Sequence, residues 1–284
     1  MKIITIYDKN EEFIEYQYNS IVKHVKSDYE YILFNNGSDI DQIEKIDQIC
    51  QRLNIKTIKL KSGVATKMAS TPSIKAGTAL NEAFSQLTGK VLKIDSDMFF
   101  INDIDLSLEE DLLFIPNGDN NTQIWSGIFG INLDTVTDKL DFLPTHGDTF
   151  SDSYKLVENQ NYTKKMFCFI HYSHEHNGNY SLGLNGDCVV NLTSNTISYS
   201  KDNIVREFIN QDWLYEKVLK YKDILYENNF PCQRITNHNR KYDVDFIVID
   251  NIDYLVHFKS SNWTPNDQYM ADKKIALFKF LNNN

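Results

Sequence analysis

Glycine is scarce in this chain, 11 among 284 residues, and none precedes Gly37. That excludes a glycine-rich loop after a first strand, the usual cradle for a triphosphate. Cysteine is scarcer still. Cys50, Cys168, Cys188 and Cys232 lie far apart and in no metal-like spacing, so a disulfide framework and a zinc module are both excluded, and buried thiols in a reducing, cytoplasmic setting are expected. Basic tracts are missing too: nothing offsets a formal net charge of −10, which argues against nucleic acid or a membrane surface as partner. No apolar run approaches the roughly 20 residues that cross a bilayer. The opening "MKIITIYDKNEEF" is too short in its apolar part for a signal peptide, lacks a cleavage site, and reads as a first strand.

What remains is a globular composition, 42% apolar and 13% aromatic, enough for a packed core. Strand and helix patterns alternate from the start. "KIITIYD" is an apolar strand, and Ile14, Tyr18, Ile21 and Val25 follow at helical spacing. "YEYILFNNGSD" is a second strand ending in a turn cluster, and Ile40, Ile43, Ile46, Cys50 and Leu53 line a second helix. "IKTIKL" makes a third strand, Thr71 and Pro72 open a third helix with Ala76, Leu80, Ala83, Phe84 and Leu87 on its apolar face, and Gly89 stops it. "KVLKID" is the fourth strand. Such units predict a Rossmann-like, mainly parallel α/β sheet with helices on both faces and ligands at the carboxyl ends of the strands. Regularity then weakens into an irregular second half, in which "DLLFIPN", "IWSGIFGINLD", "MFCFIHY", "FIVID" and "YLVHF" are strand-like. Leu214, Val218, Tyr221 and Leu225 mark a helix. Pro265 opens a last helix carrying Ile275, Phe278 and Leu281. One domain over 1–284 is expected, with a nucleotide-binding half (1–100), an acceptor half (101–260) and a C-terminal helix (261–284).

The stretch "VLKIDSDMFF" puts Asp95 and Asp97 where the fourth strand ends. Ionised carboxylates withdrawn from water cost several kcal/mol unless compensated. A bound cation would compensate them; a turn carrying them to the surface is the plainer alternative. Their position at the ligand-binding end of an open sheet favours function over accident.

"VLKIDSDMFFINDIDL", then "WSGIFGINLD", "NQDWL" and "LVHFKSSNW", resemble in order the motifs of the metal-dependent GT-A glycosyltransferases, most closely the glycogenin-like group. "FNNGS" and "KAGTALNEAF" resemble segments of the large inverting branch of that fold. The resemblance implies a GT-A-type fold and transfer of a sugar from a nucleotide-diphosphate sugar, by preference a UDP-sugar, to an acceptor that is a carbohydrate, a protein or a lipid-linked group. It implies Mn²⁺ or Mg²⁺ on Asp95, Asp97 and the late histidine, His257. A divalent Lewis acid takes up the charge of the departing diphosphate, and hard ions prefer carboxylate and phosphate oxygens. The late motif favours retention of the anomeric configuration.

By the same resemblance Asp95 shares the ion or holds the ribose, with Ser96 beside it, and Lys75 bridges phosphate and sugar. Lys259 would neutralise the departing phosphate, and Trp263 ends the late motif. Tyr7, Asp8 and Asn36 close the first two strands, where base and ribose would lie. Asp212 and Asp187 are the candidates for the carboxylate facing the reacting sugar. Plainer readings stand beside these: a core histidine at His257, a capping Asp8, a turn-forming Asn36, solvated Lys75 and Lys259, and a helix N-cap at Asp212. His171, His174 and His176 in "HYSHEHNG" fit no zinc spacing and read as a polar loop. Asn35, Asn36 and Asn210 stand where these enzymes carry acids, and the late motif lacks its glycine, lysine and proline. A non-catalytic carbohydrate- or nucleotide-binding protein on the same fold is therefore an alternative. A sugar-1-phosphate nucleotidyltransferase is another, and the missing glycine-rich loop speaks against it.

Overall fold

The computed structural model describes residues 1–67, 71–117, 123–145, 149–166, 168–172, 175–176, 179–182, 188–191, 196–199, 216, 219–220, 224, 227, 233–236, 239–241, 244–249, 252–258 and 267–283. The chain divides into two compact units. One comprises Met1–Asn19, Val25–Ser96 and Ile104–Phe167, the other Ser20–His24, Asp97–Asp103 and Cys168–Asn284.

The first 167 residues carry β1 (Lys2–Tyr7), α1 (Phe13–His24), β2 (Glu30–Asn35), α2 (Ile40–Arg52), β3 (Lys56–Lys59), α3 (Ser62–Ala65), α4 (Pro72–Phe84), β4 (Lys90–Ile94), β5 (Met98–Phe100), β6 (Leu112–Asn117), β7 (Gln123–Asn132), α5 (Tyr154–Glu158) and β8 (Lys164–Met166). The expected α/β alternation is present, and its local causes are visible. Asp39 caps α2 by accepting from the Gln42 N–H at 3.1 Å, and Thr71 caps α4 with Pro72 behind it, the side-chain chemistry that satisfies orphan N–H groups. α4 ends at Phe84, before Gly89; that glycine, at φ 75, turns the chain into β4 in a conformation few other residues adopt.

All of these strands except β5 form one seven-stranded sheet in the order β3-β2-β1-β4-β7-β6-β8. β1 pairs in parallel with both β2 and β4, and β7 runs antiparallel to β4 and β6. The order reverses at β1, so the carboxyl ends of β1 and β4 flank the switch point where open α/β sheets bind ligands. Ile4, Ile32, Phe34, Val91, Phe129 and Ile131 on one face pack with Ala79, Leu80, Ala83 and Phe84 of α4. Phe142 and Phe150 complete that core, with ring centroids 4.4 Å apart. Gly77 is obligatory on α4: a Cβ there would lie 2.4 Å from the Phe142 carbonyl oxygen.

The second unit takes in β5 and adds β9 (Cys168–Tyr172), β10 (Glu175–His176), β11 (Asn179–Leu182), β12 (Cys188–Asn191), β13 (Thr196–Tyr199), β14 (Gln233–Thr236), β15 (Asn239–Lys241), β16 (Val244–Ile249), β17 (Ile252–His257) and α6 (Asp267–Asn283). β5-β17-β16-β9 form an antiparallel four-stranded sheet, and β13-β12-β11-β10-β15-β14 a six-stranded one. This stretch is richer in strands than its sequence pattern suggests. His171 and His176 lie on β9 and β10, not in a loop. Of the helix expected around Leu214–Leu225, Glu216, Leu219, Lys220, Ile224 and Glu227 are described, and they are helical. α6 buries Lys273, Ala276, Leu277 and Phe280, whereas Ile275 is 66% exposed. The buried stripe is thus offset from the expected Ile275, Phe278 and Leu281, and Lys273 within it rests its ammonium 4.2 Å from the Phe258 ring centroid.

Candidate metal centre

The apolar strand β4 runs into the turn Asp95–Asp97, and two buried side chains from other elements fix that turn by its backbone. Gln17 of α1 donates from Nε2 to the Asp95 carbonyl at 2.7 Å, and the Tyr7 hydroxyl at the end of β1 donates to the Ser96 carbonyl at 3.0 Å. Gln17 is held in turn by the Tyr31 hydroxyl, which donates to its Oε1 at 3.0 Å. All three side chains are nearly or fully withdrawn from solvent, so each hydrogen bond forms in a medium where a broken one is costly.

In the second unit the register brings His171, Asp245, His257 and Met98 into one row across β9, β16, β17 and β5. Asp97 immediately precedes that row, and its carbonyl accepts from the Phe258 N–H at 2.9 Å. His257 therefore stands between two carboxylates. Its Nδ1 is 3.0 Å from Asp245 Oδ2 and its Nε2 is 3.4 Å from Asp97 Oδ1. Asp245 is fully buried, and Asp97 and His257 are nearly so. Burial alone would push the imidazole pKa down, but the Asp97 and Asp245 carboxylates outweigh it and raise it to about 9. With Asp245 accepting the Nδ1 proton, the Nε2 lone pair of the neutral ring is directed at the Asp97 side, the arrangement that fixes the tautomer of a metal-binding histidine.

Asp95, one residue before Ser96 on the same turn, supplies the third group. One ligand atom each from Asp95, Asp97 and His257 lie within 4.8 Å of one another. Two carboxylate oxygens and one imidazole nitrogen suit Mn²⁺ or Mg²⁺, with room in an octahedral shell for further oxygen ligands. The donor set therefore fits the expected ion.

Tyr7 is fully buried, reaching the turn through its hydroxyl. Asp8 follows β1; burial raises its carboxyl pKa, and the Lys9 and Lys75 charges oppose that rise. Asn36 follows β2 and accepts at Oδ1 from the Ser62 hydroxyl at 2.8 Å, and the Lys75 ammonium donates to the Lys67 carbonyl at 3.1 Å. Ser96 is half-buried at the centre of the turn. Asp187, Asp212, Lys259 and Trp263 lie outside the described residues, as does His174.

Three residues at this site escape a reading of the sequence: Gln17, Asp245 and Lys93. Lys93 of β4 is buried, and its ammonium donates to Asp95 Oδ1 and to the carbonyl oxygens of Ser126 and Gly127 on β7. A lysine inside the apolar run "VLKID" and an aspartate inside "VDFIVI" are the signals that could have marked two of them, since a charge in a buried strand needs a partner. Gln17 leaves no such mark.

No protein-family model matches the chain, and no curated protein matches it in sequence. Among solved structures it is similar to the mannosyltransferase PcManGT from Pyrobaculum calidifontis in complex with GDP-Man and Mn²⁺, at 10% identity over 58% of this chain and 53% of that one, with a TM-score of 0.40. It is also similar to S. aureus TarS 1–349, at 17% identity over 58% and 57% of the two chains, TM-score 0.38. A third is the galactosyltransferase LgtC in complex with donor and acceptor sugar analogs, at 14% identity over 47% and 58%, TM-score 0.33. The chain spans little more than half the length of each of these structures. Mannosyltransferase and galactosyltransferase are names from the class that the sequence motifs resemble, and at this level of similarity no residue role passes from them to this chain.

Proposed function

We propose that the protein is a glycosyltransferase that uses a nucleoside-diphosphate sugar together with Mn²⁺ or Mg²⁺. The observation that carries this reading is the placement of Asp95, Asp97 and His257 within reach of one cation, on the turn that leaves the switch-point strand β4. Asp97 and His257 would hold the ion, with Asp95 beside them. The bound ion would supply charge neutralisation for the departing diphosphate. The chain's own part is positional. Gln17 and Tyr7 hold the turn by its carbonyls, and Asp245 keeps the imidazole proton on Nδ1. Asp8, Asn36, Lys75 and Ser96 in the first unit are proposed to face the donor, and Tyr7 to act through the turn. Lys259 and Trp263 are proposed donor contacts, and Asp212 or Asp187 the carboxylate facing the reacting sugar. We favour UDP as the nucleotide, retention of configuration and a cytoplasmic location. Among the described residues no helix is long and apolar enough to cross a membrane.

Nucleotide binding in Mn²⁺ and in EDTA tests the reading. Affinity for UDP is expected to fall tenfold or more without the metal, about 1.4 kcal/mol, and Asp97→Ala is expected to abolish the metal dependence and donor hydrolysis while the fold persists. Equal affinity with and without Mn²⁺ would refute it. One observation favours a second reading, a non-catalytic protein on this fold: Asp95 already has a cationic partner in Lys93, and Asp97 has one in a protonated His257. A charge network complete in itself would bind nucleotide, if at all, without Mn²⁺.

A further inference from the structure

Lys93 is the feature of the site that a simple cation-binding reading leaves unexplained. It is 4% exposed, on the face of β4 that carries Val91, opposite Phe129 of β7. An ammonium has three protons to give. One goes to Asp95 Oδ1, and the other two go to the Ser126 and Gly127 carbonyls, the latter at 3.3 Å. With its stem packed in the sheet and every proton used, this cation has nowhere else to go when a metal ion arrives. Withdrawing it would strand two carbonyl oxygens that accept from it, and solvating it would need the sheet to open. Asp95 is the more exposed partner, its side chain 41% exposed against 5% for Lys93. A carboxylate so held has much of its charge already compensated, and the pair brings no net charge to the site.

We infer that Lys93 is a built-in counter-cation that neutralises Asp95 and holds the cation affinity of the Asp97–His257 site low, so that the metal is retained only together with an anionic diphosphate. The inference rests on the glycosyltransferase reading for the identity of the anion, and it deepens that reading by assigning Lys93 as the residue that makes metal and donor binding interdependent. Its physical basis is charge arithmetic. A divalent ion facing Asp97 beside a fixed positive charge is under-compensated by the protein alone, and the oxygens of a diphosphate supply what is missing. Lys93 is a positioning residue in this scheme, acting through Asp95.

The test measures Mn²⁺ binding by electron paramagnetic resonance, with Mn²⁺ alone and with Mn²⁺ plus UDP, for the wild type, Lys93→Met, Lys93→Arg and the double variant Lys93→Met/Asp95→Asn. Removing the buried cation is expected to tighten Mn²⁺ binding in the absence of nucleotide by about tenfold or more, and to shrink the gain that UDP gives. Lys93→Arg keeps the charge and is expected to stay within about threefold of the wild type. The double variant removes the pair together, leaves no unpaired charge to endanger folding, and is expected to bind Mn²⁺ within about threefold of the wild type. Lys93→Met binding Mn²⁺ no tighter than the wild type would overturn the inference, and so would a double variant weakened tenfold or more, which would make Asp95 an indispensable ligand. The two readings fail separately. A wild type that binds Mn²⁺ with UDP while Lys93→Met is no tighter sinks the role of Lys93 alone. A wild type that ignores Mn²⁺ even with UDP, beside a Lys93→Met variant that binds it, sinks the transferase reading and leaves Lys93 as the residue that closes the site to cations.

Discussion

Lowering the pH from 8 to 6 is expected to weaken Mn²⁺ binding about a hundredfold. The imidazole of His257, pinned between Asp97 and Asp245, has its pKa raised to about 9 in the protein without a bound cation. A metal can use Nε2 only after the proton has left, so below that value each pH unit costs a factor of ten, about 1.4 kcal/mol, in apparent affinity. At pH 7 the proton therefore costs the metal roughly 3 kcal/mol. An unperturbed histidine, at about 6.5, would give a profile that flattens above pH 7. The environment of His257 instead predicts a slope persisting through pH 8. The assay is Mn²⁺ affinity at half-unit steps from pH 6 to pH 9, paired with calorimetry in two buffers of different ionisation enthalpy, which should show about one proton released per ion bound at pH 7. His257→Asn should remove most of the slope. A flat profile between pH 7 and pH 9, or a slope that survives in His257→Asn, would show that this histidine does not exchange its proton for the metal.

Without metal, the same shift makes the folded state depend on pH. Because the folded pKa lies above the unfolded one, the stabilisation is fully present below about pH 6.5 and is lost as the pH rises through 9. Thermal melting in EDTA should thus fall across that window, by up to roughly 3 kcal/mol of stability, and far less in His257→Asn. Asp245→Asn keeps the shape of the buried acceptor and removes its charge, so the midpoint of the Mn²⁺ pH profile should move down by about a unit or more, and melting at pH 6 should drop; an unchanged midpoint would mean that Asp245 does not set the imidazole's basicity. Gly77→Ala places a methyl group 2.4 Å from the Phe142 carbonyl, and chemical denaturation should show a loss of about 1–3 kcal/mol, the usual cost of forcing extra volume into a packed core; no loss would mean that the aromatic core yields freely.

Much of the first half was legible in the chain because its information is local. Periodicity of 2 and 3.6, a Thr-Pro helix start and turn clusters are properties of short stretches, and they placed β1 to β4 and the helices α1, α2 and α4 within a few residues, though not the single turn of α3. The switch point followed from the alternation, and with it the position of Asp95 and Asp97. His257 could be nominated only through the resemblance of "LVHFKSSNW" to the late motif of the GT-A enzymes; by itself "YLVHF" reads as a strand with a core histidine. The stripe of α6 was misplaced by sequence alone, since Ile275, Phe278 and Leu281 are as regularly spaced as the residues that are buried. Which stripe faces inward depends on what lies opposite, here the Phe258 ring beneath Lys273.

The amino-acid sequence by itself determined an acidic α/β protein with an Asp-x-Asp turn at the ligand end of its sheet, because strand, helix and turn preferences act over neighbours. Tertiary structure alone decided what surrounds that turn. Gln17 lies 78 residues from the carbonyl it holds, Lys93 is held by carbonyls 33 and 34 residues away, and Asp245 meets His257 only because β16 and β17 pair in one particular register. A shift of one residue in that pairing would turn Asp245 to the opposite face of the sheet. Charges buried in strands are tolerable only when such pairings close around them, and no local pattern records which pairing will form.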